Sequence, residues 1–437
     1  MGIPFYFISL IKAHKTIVTR VRTKLAPAIL CMDFNAFIHT AMNDESPIES
    51  VIQALSVFVS ETCEPTTTLY IAMDGLVPYG KIVQQRYRRF RISDSQTPIF
   101  DRNQISPGTP YMKELEQAIR SKFPTAVLSS TDIPGEGEHK IFNWLKTVLP
   151  FTGDVYIYGL DADLILLGLS YGNNIKLLRE NQAFGGKVSD GYSLLSIQTL
   201  ATVLPIPSTQ YVALCVLCFG NDFMPALGMF SLREGGHERA IECYRQAGSP
   251  DLLTIKGRQA FFRTAQLKEM QVYQDKVRAR ENPAERCILS TDGKHFEERY
   301  TLHLLDGLKN VQYLVHAYWT TFHWTLHYFT QNECLDWNWV YPYAEAPLVQ
   351  QLIRYEEIPM TWESAKEPVF TITKQLQFIL PSTSLRQAKK RVMFPDELYN
   401  EETDTRLPWM RRHQWECEPR ISLPTEGLTE VQFFQCS

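Results

Sequence analysis

No stretch of 18 consecutive apolar residues occurs in this sequence, so no membrane-spanning helix and no membrane partner are expected. The N-terminal MGIPFYFISLIKAHK lacks a basic leader and a small-residue cleavage site, which argues against a secretory signal. Gly2 invites comparison with a myristoylation signal, but position 6 is Tyr rather than Ser or Thr. Neither sign of charge is in excess. The 44 Lys and Arg residues against 48 Asp and Glu give −4, so a polyanion site, if there is one, must be a local patch. Cysteine is sparse, with nine in 437 residues, and the only close pair is Cys215 and Cys218 inside the apolar run YVALCVLCF. With no second CxxC, two core thiols are expected there rather than a zinc site, and reduced intracellular cysteines fit best. Internal repeats and low-complexity tracts are absent.

What is present is a globular composition, 44% hydrophobic and 21% charged, at a length that suggests two or three domains. AILCM (28–32) reads as a buried strand ending at Asp33. Ser46, Pro47 and Glu49 form a capping-box pattern that starts a helix through VIQALSVFVSE. TLYIAM (68–73) reads as a second strand, ending at Asp74, so the two strands and their helix predict a βαβ unit and a parallel sheet. VYIY (155–158) is a third buried strand, followed by the turn LDAD with Asp161 and Asp163. Sites in open α/β sheets lie at the carboxyl ends of strands, where this reading places Asp33, Asp74 and Asp161.

PGEGEHKIFNWL (134–145) adds Glu136 and Glu138. Residues two apart do not share a helical face. Both acids address one region only if Glu136 lies on the turn or at the first helical position, which Gly135 and Gly137 permit. His139 reads as a structural histidine rather than a ligand. Carboxylates on turns between buried elements are costly unless a cation neutralises them, and hard divalent ions take such oxygens. GKIVQQRYRRFR (80–91) holds five cations and no acid. At helical spacing Lys81, Gln85, Arg88 and Arg89 share one face, which suits a phosphate clamp. The proline-rich stretch 97–110, with its Pro107-Gly108 turn, is a loop, and GND (220–222) is a further glycine-marked turn carrying Asp222.

From about 233 to 301 the chain is polar and charged, and reads as a connector with amphipathic helices. YLVHAYWTTFHWTLHYF (313–329) is an aromatic-rich core helix. In LDWNWVYPYAEAP, which is not obviously helical, Trp337, Trp339, Tyr341 and Tyr343 form either core or a base-stacking wall. Beyond Leu348 no chemistry is legible by pattern.

The runs MGIPFYF, MDFNAFIH, AMDGLVPYGKIVQQRYRRFR, ISPGTPYM, DIPGEGEHKI, YGLDADLILLGL, CFGNDFMPAL and DWNWVYPYAEAP occur in the order found in the eukaryotic 5′→3′ exoribonucleases. From residue 1 to about 347 the chain resembles that family. The resemblance implies an α/β fold: a mixed, mostly parallel sheet flanked by helices, like the flap nucleases, with a helical, aromatic-rich second region. It implies a nuclease domain over 1–230, a connector over 231–305 and a second conserved region over 306–437. It also implies a metal centre of Asp33, Asp74, Glu136, Glu138, Asp161, Asp163 and Asp222, holding two Mg²⁺ ions, or Mn²⁺ in their place. The 5′-phosphate pocket would be Lys81, Gln85, Arg88 and Arg89. The first base would lie between His39 and a tryptophan, Trp337 or Trp339. The expected substrate is single-stranded RNA with a 5′-monophosphate, hydrolysed in cytoplasmic mRNA decay by a monomer. A flap-endonuclease-like DNA enzyme is the alternative, against which the KxxxQxxRR cluster and the Trp-rich region argue. The sequence departs from the family at Ala344-Glu345, in its short insertions and in stopping after the second region. In that compactness it resembles a minimal, viral-type member acting in host cytoplasm.

Overall fold

The computed structural model describes residues 2–390 apart from 4, 23, 91–98, 149–152, 173, 183–187, 281–287, 289–292, 306–307, 344, 356, 359–365 and 369, together with 403–404 and 420–421. Ala344 of the YPYAEAP departure, and nearly all of the chain beyond 390, therefore lie outside the described residues.

Seven strands form one sheet: β1 (Val18–Arg20), β2 (Ile29–Asp33), β3 (Thr68–Ala72), β4 (Val127–Ser129), β5 (Val155–Tyr158), β6 (Ile175–Gln182) and β7 (Val188–Ser196). Their spatial order is β1-β7-β6-β5-β2-β3-β4. The five strands β6, β5, β2, β3 and β4 run parallel, while β7 lies antiparallel beside β6 and β1 antiparallel beside β7 at that side of the sheet. The sheet is thus mixed and mostly parallel, flanked by helices. Strands β1 and β7 were not legible in the sequence, because VTR is short and VSDGYSLLS is broken by polar residues and a glycine. Every residue of β2 and β5 is buried, as expected for parallel strands covered on both faces.

Side chains alternate between those faces. Ile29, Cys31, Tyr70, Ala72, Val155 and Ile157 enter one hydrophobic cluster. Leu30, Met32, Leu69, Ile71, Tyr156 and Tyr158 enter the other. The second face is covered by α2 (Phe34–Ala41), α3 (Pro47–Thr62) and α5 (Pro110–Lys122), through Phe37, Val51, Leu55, Phe58, Met112 and Leu115. Helix α3 begins at Pro47 as expected, but the capping box does not form: Ser46 makes no side-chain cap bond. A local turn takes its place, in which Asn43 accepts from the Glu45 amide and donates its own amide to Ser50 Oγ.

The first face is covered by α1 (Tyr6–Ala13), α6 (Gly137–Thr147), α7 (Asp163–Tyr171), α8 (Ile197–Val203) and α9 (Ser208–Phe219). Cys215 and Cys218 are buried free thiols in α9. The same cluster continues without a break into α10 (Gly236–Gln246), α11 (Ile255–Arg280), α12 (Phe296–Leu304), α13 (Val311–Gln331) and α14 (Val349–Arg354). Phe261, Phe262 and Tyr273 of α11 and Tyr318, Trp319 and Phe322 of α13 are buried in it. The described helices of the 233–301 stretch thus each bury apolar residues in this core. Its long α11 hides a few aromatics among many charges. No single described helix is long and apolar enough to cross a membrane.

The last described helices brace the basic one. Leu76, Tyr79, Ile82 and Val83 at the start of α4 (Tyr79–Phe90) pack on Leu376, Phe378 and Ile379 of α15 (Ile372–Ile379). Gln375 accepts from the Val77 amide at 3.1 Å. In α16 (Ser382–Gln387), Ser384 receives Asn103 and Gln104 from the segment preceding α5.

Candidate active site

Strands β4, β3, β2 and β5 are neighbours, and the turns leaving their carboxyl ends carry the acids. Asp33 ends β2, and Asp74 lies two residues beyond β3. Glu136 is the residue before α6, and Glu138 lies in its first turn. Asp161 is on the turn after β5, and Asp163 opens α7. The turn after β3 is pinned from several sides. Asn35 Oδ1 accepts from the Asp74 amide at 3.0 Å, and Asp74 Oδ1 accepts from the Gly137 amide at 2.7 Å. Lys140 donates to the carbonyls of Met73 and Ser130 at 2.7 and 2.9 Å, joining the ends of β3 and β4 beneath α6. Glu136 sits on the turn, as the glycine flanks require, with Gly135 at φ 113°.

Lys81 projects from α4 into these acids. Its Nζ is 2.5 Å from Glu136 and 2.6 Å from Asp222, so the GND turn is tied to the sheet through this lysine. Glu136 is bonded on both oxygens, because Tyr328 of α13 donates to Oε1 at 3.0 Å. Burial and then the charge of Asp74 push the Asp33 carboxyl up to about 7. Burial and then Asp222 do the same for Asp163, also to about 7. Burial and then Glu136 hold Glu138 well above the usual carboxylate range. Burial acts upward on Asp222 too, but the Lys81 ammonium outweighs it and holds that carboxyl low. Burial opposes the charge of Lys81, yet Asp222 and Glu136 raise its pKa well above the ordinary lysine value.

The Lys81 ammonium does not balance so many buried acids, and a negative excess remains. Asp163 Oδ1 is buried with no hydrogen-bond partner. That chemistry fits hard divalent cations. The side chains as placed do not converge on one ligation point: among the described residues no three His, Cys, Asp or Glu side chains are set to hold a single ion. Lys81 stands between Glu136 and Asp222 instead.

The other half of α4 forms a cationic corner. Arg88 is partly exposed and Arg89 is buried, with Arg89 Nη2 donating to the Ile105 carbonyl at 2.8 Å. Arg89 Nε and Gln85 Oε1 are buried without hydrogen-bond partners. Burial, then repulsion from Arg88, lowers the Arg89 guanidinium to about 9. His39, in the last turn of α2, belongs to this corner. The density of chain around its ring, then Arg89, Arg88 and Arg102, hold its imidazole down at about 4, although one edge remains open to solvent. The fourth cation of this helix plays a different part. Arg86 donates to the Phe378 carbonyl and lies 4.8 Å over the Phe378 ring, and so fastens α15. Trp337 and Trp339 lie in a turn whose carbonyls accept from the Tyr79 and Gly80 amides at the start of α4. Trp337 Nε1 donates to the Lys366 carbonyl. Trp339 packs with Phe223, Trp324 and Tyr328, beside the turn that carries Asp222.

Sequence reading missed Lys140, Tyr328, Asn332 and Gln375. None stands in an acidic or basic run, and helical spacing alone made the aromatic stripe of α13 look like core. The i, i+2 spacing of Glu136 and Glu138 did point to Gly137. A Cβ there would lie 2.9 Å from Asp33 Oδ1 and 3.3 Å from the Ala72 carbonyl. Gly137→Ala is expected to turn the Asp33 carboxylate aside and cost activity roughly 100-fold, with little change in melting temperature. Unchanged turnover in a folded variant would remove Gly137 from the site.

Two family profiles match the chain: the XRN 5′-3′ exonuclease N-terminus over residues 1–99 and 92–181, and the Xrn1 helical domain over 259–393. Similar curated proteins include 5′-3′ exoribonuclease 1 of Saccharomyces cerevisiae, 29% identical over 56% of this chain and 21% of its own length. The Schizosaccharomyces pombe 5′-3′ exoribonuclease 1 is 32% identical over 56% of this chain and 24% of its own length. The Drosophila melanogaster 5′-3′ exoribonuclease 2 homolog is 23% identical over 81% of this chain and 59% of its own length. The chain thus spans about a fifth to three fifths of the length of these relatives. Among solved structures, the catalytic core of Rad2 with DNA substrate aligns over 69% of this chain and 85% of that chain, at 16% identity and a TM-score of only 0.38.

Proposed function

The chain belongs to the 5′→3′ exoribonuclease family, and we propose that it hydrolyses single-stranded RNA one nucleotide at a time from a 5′-monophosphate end. One observation carries this: a single helix serves both halves of the site. Lys81 of α4 reaches the acids, while Arg88 and Arg89, about 10 Å further along the helix axis, lie beside His39. That separation leaves room for a terminal nucleotide between a phosphate pocket and the phosphodiester to be cut.

Asp33, Asp74, Glu136, Glu138, Asp161, Asp163 and Asp222 would hold the divalent ions, Mg²⁺ with Mn²⁺ as substitute. Bound there, two such ions supply Lewis acidity and charge neutralisation for an in-line hydrolysis. Arg88 and Arg89 bind the terminal phosphate with charge-assisted bonds, and the unpartnered Nε of Arg89 and Oε1 of Gln85 support a polar ligand in that corner. His39 stacks on the first base and is neutral at physiological pH. Trp337 or Trp339 provides the opposite wall, and separate alanine variants distinguish them. Lys81 offsets the acids' negative charge on the phosphate side.

The names of the relatives support RNA over DNA as the substrate, and this reading implies mRNA decay as the setting. Matched single-stranded RNAs bearing 5′-monophosphate, 5′-hydroxyl or cap, and a single-stranded DNA with a 5′-phosphate, test it in Mg²⁺ and in EDTA. Mononucleotide release from the monophosphate RNA in strong preference to the other ends, lost in EDTA, is the expected result. Equal cleavage of all ends, internal cuts, or cleavage of the DNA in preference would overturn it.

A further inference from the structure

The acids and the basic helix account for most of the polar groups at this end of the sheet, but not for a buried chain of contacts leading away from Glu136 into the helical region. Tyr328, 4% exposed, donates to Glu136 Oε1 at 3.0 Å. Its ring stacks on His139, with centroids 3.7 Å apart and planes at 24°. The opposite side packs on Trp324 at 4.9 Å and edge-on against Phe223 at 5.5 Å, so the ring has little freedom to turn. His139 is held in turn by Asn332, whose Oδ1 accepts from Nδ1. Asn332 lies just past the end of α13 in the left-handed conformation, at φ 61°. Its Nδ2 donates to the His139 carbonyl at 2.8 Å and to Asn143 Oδ1 at 2.6 Å.

One residue thus clamps the end of α13 to α6, the helix that Glu136 precedes. Each contact has a geometric consequence. Asn332 fixes His139, His139 and the aromatic cluster fix the Tyr328 ring, and the ring places one hydroxyl on one oxygen of Glu136. The other oxygen, Oε2, faces the acid centre, where Lys81 meets it at 2.5 Å. A carboxylate held on one oxygen by a fixed neutral donor keeps its remaining oxygen aimed in one direction. Partners of this kind behind a metal ligand typically change metal affinity 10- to 100-fold.

We propose that Tyr328 is a positioning residue for the metal centre, supplied by the helical region, which aims Glu136 at the ions and makes the competence of the sheet depend on the docking of α13. This rests on the proposed function above. It explains why an aromatic helix 192 residues away in sequence reaches the acids through a hydroxyl instead of closing the core with a phenylalanine.

The test is Tyr328→Phe in the full chain, which keeps the stacking and removes only the donor. Mn²⁺ alone is titrated into wild type and variant, with free Mn²⁺ followed by electron paramagnetic resonance. Tyr328→Phe is expected to bind Mn²⁺ roughly tenfold more weakly. Its half-saturating Mg²⁺ for cleavage should rise in step, with KM for the RNA within twofold of wild type. A hydroxyl that served only stability would lower the melting temperature and leave both metal readouts unchanged. A folded Tyr328→Phe protein that binds Mn²⁺ as wild type does overturns the inference and leaves the proposed function intact. A wild-type chain that neither binds Mn²⁺ nor cleaves RNA overturns both. If Tyr328→Phe does not fold, Asn332→Gly replaces it, since glycine keeps the left-handed backbone and removes the clamp. A Mn²⁺ affinity several-fold weaker is then expected, and an unchanged affinity overturns the inference.

Discussion

Asp163→Asn is expected to cut turnover severely and, at pH 8 without divalent ions, to raise the melting temperature. Both effects come from one cause. Asp163 is 2% exposed, its Oδ1 has no partner, and a Cβ on Gly2 would fall 2.2 Å from that oxygen, so the N-terminal backbone closes over it. An ionised carboxylate in that position is a cost to the fold, repaid only when a cation binds. Its pKa rises from 3.8 in the unfolded chain to about 7 in the fold. Between those values the folded state binds more protons than the unfolded one. The stability this group contributes is therefore complete below about pH 4 and is lost as pH rises through 7. Asp33 behaves in the same way over the same window.

The metal-free wild type should accordingly melt at progressively lower temperature from pH 5 to pH 8, and Mg²⁺ should reverse the fall. Asparagine removes the buried charge, so the variant should gain a few degrees at pH 8, where about 1 kcal/mol corresponds to 2–4 °C in domains of moderate size. The gain should vanish at pH 5, where the wild-type acid is already protonated, and again in saturating Mg²⁺. Turnover should drop roughly a thousandfold, equivalent to about 4 kcal/mol of lost stabilisation in the transition state. Asp161→Ala should show the same loss of turnover with RNA binding retained. Near-normal turnover in Asp163→Asn, or a metal-free melting temperature that does not depend on pH, would remove this acid from the centre.

Strand-end acids were legible for a physical reason. Central parallel strands must be apolar throughout, so an Asp directly after ILCM or LYIAM marks the point where the chain leaves the core, and that point is where α/β sites lie. Strands β1 and β7, at one side of the sheet, were not legible, because VTR is too short to carry a pattern and VSDGYSLLS is interrupted by polar residues and a glycine. The place of Lys81 was half legible: helical spacing grouped it with Arg88 and Arg89, but only the fold shows it turned toward Glu136 and Asp222. Arg86 shows the limit of a charge run as a signal. It lies between the clamp residues in sequence, yet at helical pitch it falls on another face and holds Phe378. Tyr328 was illegible because a buried tyrosine and a buried phenylalanine leave the same periodicity. The hydroxyl matters only once the fold brings it to Glu136, 192 residues away.

Arg88→Ala should separate end recognition from hydrolysis. Arg88 is the partly exposed member of the clamp, so its removal should leave the melting temperature nearly unchanged. Arg89 behaves differently, because it is buried and bonded to the Ile105 carbonyl, and its loss would disturb the segment before α5. A hydrogen bond to a charged group contributes about 1.5–3 kcal/mol, so the preference for 5′-monophosphate over 5′-hydroxyl RNA should fall roughly 10- to 100-fold. The loss should appear in kcat/KM for the monophosphate substrate, with the slow cleavage of the 5′-hydroxyl RNA unchanged. One phosphate contact fewer should also reduce the slope of log affinity against log salt by about 0.7, the single-strand value. Arg88→Lys keeps the charge and loses the fork, so it should recover part of the preference. Arg86→Ala is the matching control: it should lower the melting temperature by freeing α15 and leave end preference intact. If Arg88→Ala kept the full preference while Arg86→Ala lost it, the phosphate would bind on the other face of α4, and the link between helix register and 5′-end selection would be wrong.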